Sequence, residues 1–384
     1  MKEREKFCEY FRSGANDDKR IGLEIEHFTA KDGHILSYSG GVKDILTELS
    51  QDVEKIFIED GNILGADMGE YTLTLEPGAQ LEVSVYPFAE ISEIERVLNG
   101  FYKKAEPILK KHDAEFINIP AVTEDELDKI ELIPKKRYEY MDRYFKSSGT
   151  MGRYMMRGSA SLQVSVDYKS EADFVKKFRL AYIMCPFFAL MTGGKMRDRY
   201  LKRIEIWNNV DAARTRIPEK LFDEDFGFGA YADELLKVPA IFIPDEDGYK
   251  FTGDESIASL IEKYGLSDEV MTHYLSMVFP DVRLKNYIEI RIADTVQKKR
   301  ALSYAAIVKA VFYTDMLDIL AERYKGVAVG DIKNAKSEIL KHGTDATVYG
   351  FNAGEELEYI ISLAKRYLDE NELKYISEVD YDKE

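Results

Sequence analysis

The chain has 384 residues, of which 45% are hydrophobic and 32% charged, so it is long enough to form a substantial buried core. Asp and Glu total 70 against 53 Lys and Arg, which gives a formal net charge of −17. This balance argues against nucleic acid or an anionic membrane surface as the main partner, because both are bound by clustered Lys and Arg. The two cysteines, Cys8 and Cys185, lack metal-ligand spacing and predict neither a zinc site nor a disulfide framework.

The sequence has no feature of a secreted or membrane-spanning chain. The N-terminus is charged and has no apolar signal region. The longest apolar stretch, residues 181–192, is shorter than the ~20 residues that a membrane span needs. We therefore expect a cytoplasmic protein, and nothing indicates an obligate protein partner.

Long helical patterns alternate irregularly with short strand patterns, which predicts an α+β fold rather than a regular βαβ series. In chain order, the helical patterns cover residues 2–13, 88–112, 170–193, 301–324 and 354–373. Ser170 is the expected N-cap of the third helix, with Asp173 three residues later. No linker composition divides the chain. We expect a single domain over residues 1–384, with sheet motifs between 21 and 294 and a helical C-terminal part at 300–384.

Four strand patterns share one design. Residues two apart in a strand lie on the same face, so Ile21, Leu23 and Ile25 leave Glu24 and Glu26 on the opposite face. The same alternation occurs in residues 81–85, 162–166 and 288–292, where the polar positions are Glu82, Ser84, Gln163, Ser165, Glu289 and Arg291. If these strands join one sheet, helices cover the aliphatic face and the other face carries several carboxylates.

A carboxylate-bearing face has two interpretations. An antiparallel sheet can simply expose its polar side chains to solvent. However, Glu is depleted in strands, and like charges on neighbouring strands repel each other. A bound divalent cation would compensate that repulsion, and Mg²⁺ takes carboxylate oxygens together with water and nucleotide phosphate. The pattern by itself leaves both interpretations open.

Six short motifs follow one another along the chain. They are IGLEIE (21–26), LEPGAQLEVS (75–84), MM (155–156) with SLQVSVDY (161–168), RIEIW…DAART (203–215), FGFGAY (226–231) and HYL…FPDVRLKNYIEIRIAD (273–294). In this order they resemble the plant and proteobacterial type of glutamate–cysteine ligase, a branch of the glutamine-synthetase-like carboxylate–amine ligases. Ala79 stands where the family motif has a second Gly. Gly158-Ser159 stands where members often have an Arg-Thr or Ser-Thr pair.

The resemblance implies a curved, glutamine-synthetase-like antiparallel sheet with helices on one face and an open, carboxylate-lined active-site face. It implies that ATP activates the γ-carboxylate of L-glutamate as γ-glutamyl phosphate, which the amine of L-cysteine attacks, the first step of glutathione-type thiol biosynthesis. The implied metal ions are two or three Mg²⁺, with Mn²⁺ as an alternative.

The resemblance also implies roles for individual residues. The implied metal ligands are Glu24, Glu26, Glu76, Glu82, Gln163 and Glu289. Catalysis would involve Arg291 and Glu289, and substrate or ATP would be bound by Arg203, Arg214, Arg291 and Tyr231. Which arginine binds the substrate carboxylate and which binds phosphate is left open, and packing explains Tyr231 equally well. Glu76, before Pro77-Gly78, could instead serve only to open a turn.

Three alternatives remain. A glycoside hydrolase could use two of the glutamates as acid and nucleophile, but it would need no ATP and would leave the arginines without a role. A homologue without catalytic activity could bind nucleotide or metal. A ligase of the same fold could join glutamate to a different amine, because residues of a substrate pocket are harder to recognise than metal ligands.

Overall fold

The computed structural model describes residues 2–193, 201–245 and 248–377. Its helices are α1 (Lys2–Ser13), α2 (Lys43–Leu49), α3 (Ile91–Lys111), α4 (Glu124–Leu127), α5 (Lys136–Phe145), α6 (Gly152–Arg157), α7 (Glu171–Thr192), α8 (Lys202–Asn208), α9 (Ala212–Thr215), α10 (Phe228–Leu236), α11 (Ile257–Tyr264), α12 (Asp268–Leu275), α13 (Lys298–Tyr313), α14 (Met316–Arg323), α15 (Val329–His342), α16 (Ala353–Tyr367) and α17 (Glu370–Ser377). The last seven residues of the predicted helical part, 378–384, lie outside the described residues.

The strands follow the same chain order. They are β1 (Ile21–Lys31), β2 (His34–Ile35), β3 (Lys55–Glu59), β4 (Asn62–Asp67), β5 (Tyr71–Leu75), β6 (Leu81–Phe88), β7 (Glu115–Ile117), β8 (Ser161–Val166), β9 (Pro239–Asp245), β10 (Gly248–Ser256), β11 (Val282–Leu284), β12 (Ile288–Asp294), β13 (Thr347–Val348) and β14 (Phe351–Asn352).

The predicted helices are present, but two of them are divided. The first and third match their predicted bounds, and the Ser170 side chain caps α7 by accepting a hydrogen bond from the Asp173 N–H. The pattern at 301–324 forms α13 and α14, because the chain becomes extended at Thr314. The pattern at 354–373 forms α16 and α17, with an extended residue at Leu368. Hydrophobic periodicity continues across both breaks, so it did not reveal them.

One antiparallel sheet carries the four predicted strands. Its main path runs β11-β12-β8-β1-β6-β5-β4-β3, and β2 and β7 also pair with β1. The predicted strands β12, β8, β1 and β6 are therefore direct neighbours. In this register Glu26 lies opposite Glu82, and Glu24 lies between Ser84 and Gln163. The sheet brings together carboxylates that are far apart in sequence.

The aliphatic face of the sheet forms the core. The side chains of Leu23 on β1, Val83 on β6, Val164 on β8 and Ile290 on β12 are all 0% exposed. Helices α3, α7 and α13 pack against this face. Helix α7 is apolar on most of its surface from Leu180 to Thr192, as expected for a buried segment, and this part contains the buried thiol of Cys185. Among the described helices none is both long and apolar enough to cross a membrane.

Candidate active site

The polar face of the sheet opens into a cavity of about 330 Å³. Helices α5, α6 and α8 and the segment after α12 form its other walls. Eight of the ten residues predicted for the site line it, namely Glu24, Glu26, Glu76, Glu82, Gln163, Arg203, Glu289 and Arg291. Arg214 and Tyr231 do not.

Three carboxylates, Glu24, Glu76 and Glu82, are called here the floor carboxylates. Burial raises the pKa of Glu24 to about 8, with repulsion from Glu82 and Glu289 adding to it. Burial and the charges of Glu76 and Glu26 raise the pKa of Glu82 to about 8, and burial and Glu26 raise that of Glu76 to about 7. No Lys, Arg or His in the described parts of the chain forms an ion pair with any of the three.

Burial and mutual repulsion therefore favour the protonated form of the floor carboxylates near neutral pH, and no described residue forms an ion pair that would hold them ionised. Carboxylate oxygens of this kind suit a hard divalent cation. Within residues 2–193, 201–245 and 248–377, no three acidic, His or Cys side chains lie close enough together to form a ready-made metal site. A cation would thus have to draw these side chains together against their mutual repulsion.

Glu26 and Gln163 are already engaged with the protein. Glu26 accepts hydrogen bonds from the backbone N–H of Ser161 at 2.7 Å, from its hydroxyl at 2.6 Å and from Gln163 Nε2 at 3.2 Å. Gln163 Oε1 in turn accepts a hydrogen bond from Arg291. These contacts tie β1, β8 and β12 together across the polar face. Their predicted role as metal ligands stays a prediction, since both side chains would have to exchange partners to bind a cation.

Glu289 is surrounded by three cations. Its side chain contacts Arg283 at 2.6 Å, Lys285 at 2.9 Å and Arg291 at 2.9 Å, and the residue is 0% exposed. Burial alone would raise the pKa of Glu289, but the charges of Arg283, Lys285 and Arg291 outweigh burial and hold that pKa well below its usual range. The predicted role of Glu289 as a metal ligand stays a prediction, since both of its carboxylate oxygens already bind protein cations and would have to exchange partners. The Glu289 carboxylate anchors the Arg291 side chain beside the cavity.

Four basic residues that line the cavity were not singled out in the sequence: Lys135, Arg137, Arg283 and Lys285. Arg283 could have been found from the sequence, because it lies two residues before Lys285 in a strand-like segment and therefore shares a face with it. The register of β11 and β12 sets Arg283 directly opposite Glu289. Lys135 and Arg137 lie at the start of α5, where no periodicity marks them. Burial and the charge of Arg137 lower the pKa of Lys135.

Arg203 and Arg214 have different surroundings. The Arg203 guanidinium stacks 3.7 Å from the centre of the Trp207 ring, its Nε donates to the Arg291 carbonyl at 3.3 Å, and it lines the cavity. Burial lowers its pKa to about 10. Arg214 is fully buried elsewhere, where it pairs with Asp211 at 3.0 Å and donates to the Met277 carbonyl at 2.8 Å.

The predicted placement of Arg214 and Tyr231 at the substrate site is therefore corrected. Both line a separate space of about 30 Å³ on the other side of the segment that carries Met277 and Val278. The Tyr231 hydroxyl accepts a hydrogen bond from the Leu284 N–H at 3.1 Å. The two side chains support the elements that carry the site, because their polar groups bond the backbone next to it.

Comparisons with known proteins identify the family to which this chain belongs. A family model described as glutamate–cysteine ligase family 2 matches residues 20–357. The chain belongs to this family. Two curated relatives are the chloroplastic glutamate–cysteine ligases of Medicago truncatula, 30% identical over 327 residues, and Arabidopsis thaliana, 30% identical over 345 residues. The alignments cover 80% and 83% of this chain, but only 64% and 65% of those relatives.

A solved structure shares the fold of this glutamate–cysteine ligase family member. It is the glutamate–cysteine ligase of Francisella tularensis in complex with AMP, with a TM-score of 0.53 and 13% identity, covering 93% of this chain and 80% of that one. The likeness confirms the predicted α+β, glutamine-synthetase-like fold. The prediction of a cytoplasmic protein is wrong, since the curated relatives are chloroplastic enzymes.

Two departures from the glutamate–cysteine ligase motifs lie in or next to segments that line the cavity. Ala79 has φ 65°, in the left-handed region that favours Gly, which explains why the family motif has Gly there. It forms a tight turn in which its N–H bonds the Glu76 carbonyl at 2.8 Å. Glu76 thus both opens a turn and faces the cavity. Ser159 also lines the cavity, and its carbonyl accepts a hydrogen bond from Gln80 at 2.6 Å.

Proposed function

We propose that this chain is an ATP-dependent ligase that joins the γ-carboxylate of L-glutamate to the amine of L-cysteine and forms γ-glutamylcysteine. Family membership supports the reaction class. The observation that carries the proposal is that three carboxylates without an ion-pair partner among the described residues share one cavity with a group of cations. The floor carboxylates lie on the sheet, and Arg203, Arg291 and Lys135 line the same space. Such a cavity can bind metal-complexed phosphates and a second anion together.

Forming an amide from a carboxylate requires a better leaving group than hydroxide. In the proposed reaction a γ-carboxylate oxygen of glutamate attacks the γ-phosphorus of ATP, and ADP leaves. The amine of cysteine then attacks the acyl carbon of γ-glutamyl phosphate, loses a proton and displaces phosphate. The first step brings two anions together, so positive charge around the transferring group lowers its barrier.

The residues of this chain would bind and orient the two anions. The Arg203 side chain is held by a hydrogen bond to the Arg291 carbonyl, and both arginines line the cavity. Glu289 fixes Arg291 by an ion pair at 2.9 Å and by this contact limits the directions in which it can donate. The floor carboxylates would hold two or three Mg²⁺ ions, which would offset phosphate charge.

The test is ADP release by the purified chain with Mg²⁺ and ATP, with glutamate and cysteine omitted in turn and the product identified by mass spectrometry. We expect ADP release to require both amino acids and to yield γ-glutamylcysteine. Glu24→Gln should abolish turnover, and Glu358→Gln, at an exposed glutamate of α16, is the matched control that should retain it.

Other amines separate the reaction class from the substrate. Turnover with alanine, glycine or 2-aminobutyrate but not with cysteine would replace the proposed acceptor and retain the ligase chemistry. Absence of ADP release with every amine, from a folded chain, would exclude the proposed function and favour a binding role.

A further inference from the structure

A β-bulge lies next to Arg291, whose side chain lines the cavity. In the pairing of β12 with β8, Ile290 lies opposite Val164 and Ala293 lies opposite Leu162, so β12 has one extra residue at this point. Bulges occur next to active sites, where the extra residue re-aims a side chain. The direction of the Arg291 side chain therefore depends on the shape of this bulge.

Both backbone polar groups of Arg291 are bonded to residues outside β12 and β8. The Arg291 N–H donates to the Asp281 carbonyl at 2.8 Å, and the Arg291 carbonyl accepts a hydrogen bond from Arg203 Nε at 3.3 Å. Asp281 lies immediately before β11, in the segment after α12 that forms a wall of the cavity. The position of Asp281 therefore fixes one side of the bulge, and Arg203 depends on the same bulge for its acceptor.

A buried ion pair holds Asp281 from the C-terminal helical part of the chain. Lys336 on α15 donates to the Asp281 carboxylate at 2.5 Å, and both side chains are buried. No other cation in the described parts of the chain forms an ion pair with Asp281. Breaking this pair would leave a buried charge without a partner, so the pair fixes the distance between α15 and the segment after α12. Helix α15 also packs against α8, which carries Arg203.

We propose that Lys336 is a positioning residue for the ligase reaction. Through the Asp281 carboxylate, Lys336 holds the acceptor of the Arg291 N–H and thereby sets the positions of the Arg291 and Arg203 side chains. Neither Lys336 nor Asp281 is among the described residues that line the cavity, so their effect on turnover is indirect. The inference rests on the proposed function, because it assigns Lys336 to the same reaction.

The first test separates turnover from stability. In Lys336→Met/Asp281→Leu, apolar side chains replace the ion pair, which restores part of the packing but not the directed hydrogen bond to residue 281. ADP release is measured at a temperature at which Trp207 fluorescence and circular dichroism show that each variant is fully folded. We expect the kcat of Lys336→Met and of the double variant to be at least about tenfold below that of wild type.

Two control variants identify effects that are merely structural. Lys341→Met makes the same replacement at an exposed lysine of α15, which contacts Glu338 at 3.1 Å, and it should retain the wild-type kcat. Glu356→Gln removes a buried carboxylate that pairs with Arg323 at 2.6 Å in the helical part of the chain. This variant should lower the free energy of unfolding, as Lys336→Met does, but leave the kcat of the folded chain unchanged.

The second test needs no turnover. Hydrogen exchange of the Arg291 amide, followed by mass spectrometry of peptides that cover β12, reports directly on the bond to the Asp281 carbonyl. We expect this amide to exchange at least about tenfold faster in Lys336→Met/Asp281→Leu than in wild type, with little change in peptides of β6. Glu356→Gln should show no such local change.

The outcomes for Lys336 and for the proposed function are distinguishable. A wild-type kcat in the folded double variant, an equal loss of kcat in Glu356→Gln, or unchanged exchange at Arg291 would each overturn the role of Lys336. A wild-type chain that releases no ADP with any amine would instead exclude the proposed function. The exchange measurement would then decide by itself whether Lys336 holds Arg291.

Discussion

The same chemical change is expected to have opposite effects at two glutamates of the polar face. Glu289→Gln keeps the shape of the side chain and removes a charge that three cations contact at 2.6 to 2.9 Å. The residue is 0% exposed, so water cannot replace the lost interactions. Removing one partner of a buried ionic group costs about 3–5 kcal/mol. We expect the free energy of unfolding to fall by that amount.

Glu24→Gln is the matched comparison, because Glu24 lies on the same face of the same sheet. Burial raises its pKa to about 8, with repulsion from Glu82 and Glu289 adding to it, and no cation in the described residues pairs with it. Replacing it by a neutral amide removes that repulsion. We expect the free energy of unfolding without metal to stay unchanged or to rise by about 1–2 kcal/mol. Turnover should be lost in both variants.

Trp207 provides the signal for this measurement. It is the one tryptophan of the chain, it is 7% exposed, and it lines the cavity. Unfolding in urea with EDTA present, followed by Trp207 fluorescence and by circular dichroism, gives the free energies of both variants and wild type. A loss below about 1 kcal/mol for Glu289→Gln, or an equal loss in Glu24→Gln, would refute the assignment of the two charge environments.

Three further predictions concern pH, the two arginines and a second buried ion pair. The floor carboxylates have raised pKa values, so their contribution to the stability of the metal-free chain is complete below about pH 4.5 and is lost as pH rises through about 7 to 8. The melting temperature measured in EDTA should therefore fall over this pH range. With Mg²⁺ in place of EDTA, the fall should be smaller. Arg203→Lys should lower kcat/KM at least about tenfold with little change in melting temperature. Arg214→Lys should instead lower the melting temperature and leave KM unchanged. The reverse result would assign substrate binding to Arg214 and a structural role to Arg203. Lys336 pairs with Asp281 at 2.5 Å with 7% and 2% of the two side chains exposed. Lys336→Met should thus cost about 3–5 kcal/mol in urea unfolding, and Lys336→Met/Asp281→Leu should recover part of it; no recovery would contradict the pairing.

The fold was largely predictable because its signals are local. Alternation with a period of two identified both faces of β1, β6, β8 and β12, and the structure confirms that they are neighbours. The Ser170 cap set the start of α7, since capping depends on a few adjacent residues. Strand β3 was not predicted, because its three consecutive apolar residues, Ile56, Phe57 and Ile58, do not show the apolar–polar alternation that marked the other strands.

By itself, the sequence determined the family, the four strands β1, β6, β8 and β12, and the face on which their glutamates lie, since these depend on residue type and spacing. Only the tertiary structure decided which glutamates carry compensated charge. Glu24 and Glu289 occupy equivalent positions in similar strands, but the register sets Arg283 opposite Glu289, whereas Glu24 lies between Gln163 and Ser84. The tertiary structure likewise decided that Arg203 lies in the cavity and that Arg214 lies outside the cavity. The physical reason is that the charge state of a buried group depends on neighbours brought close by folding, and these neighbours can lie far away along the chain.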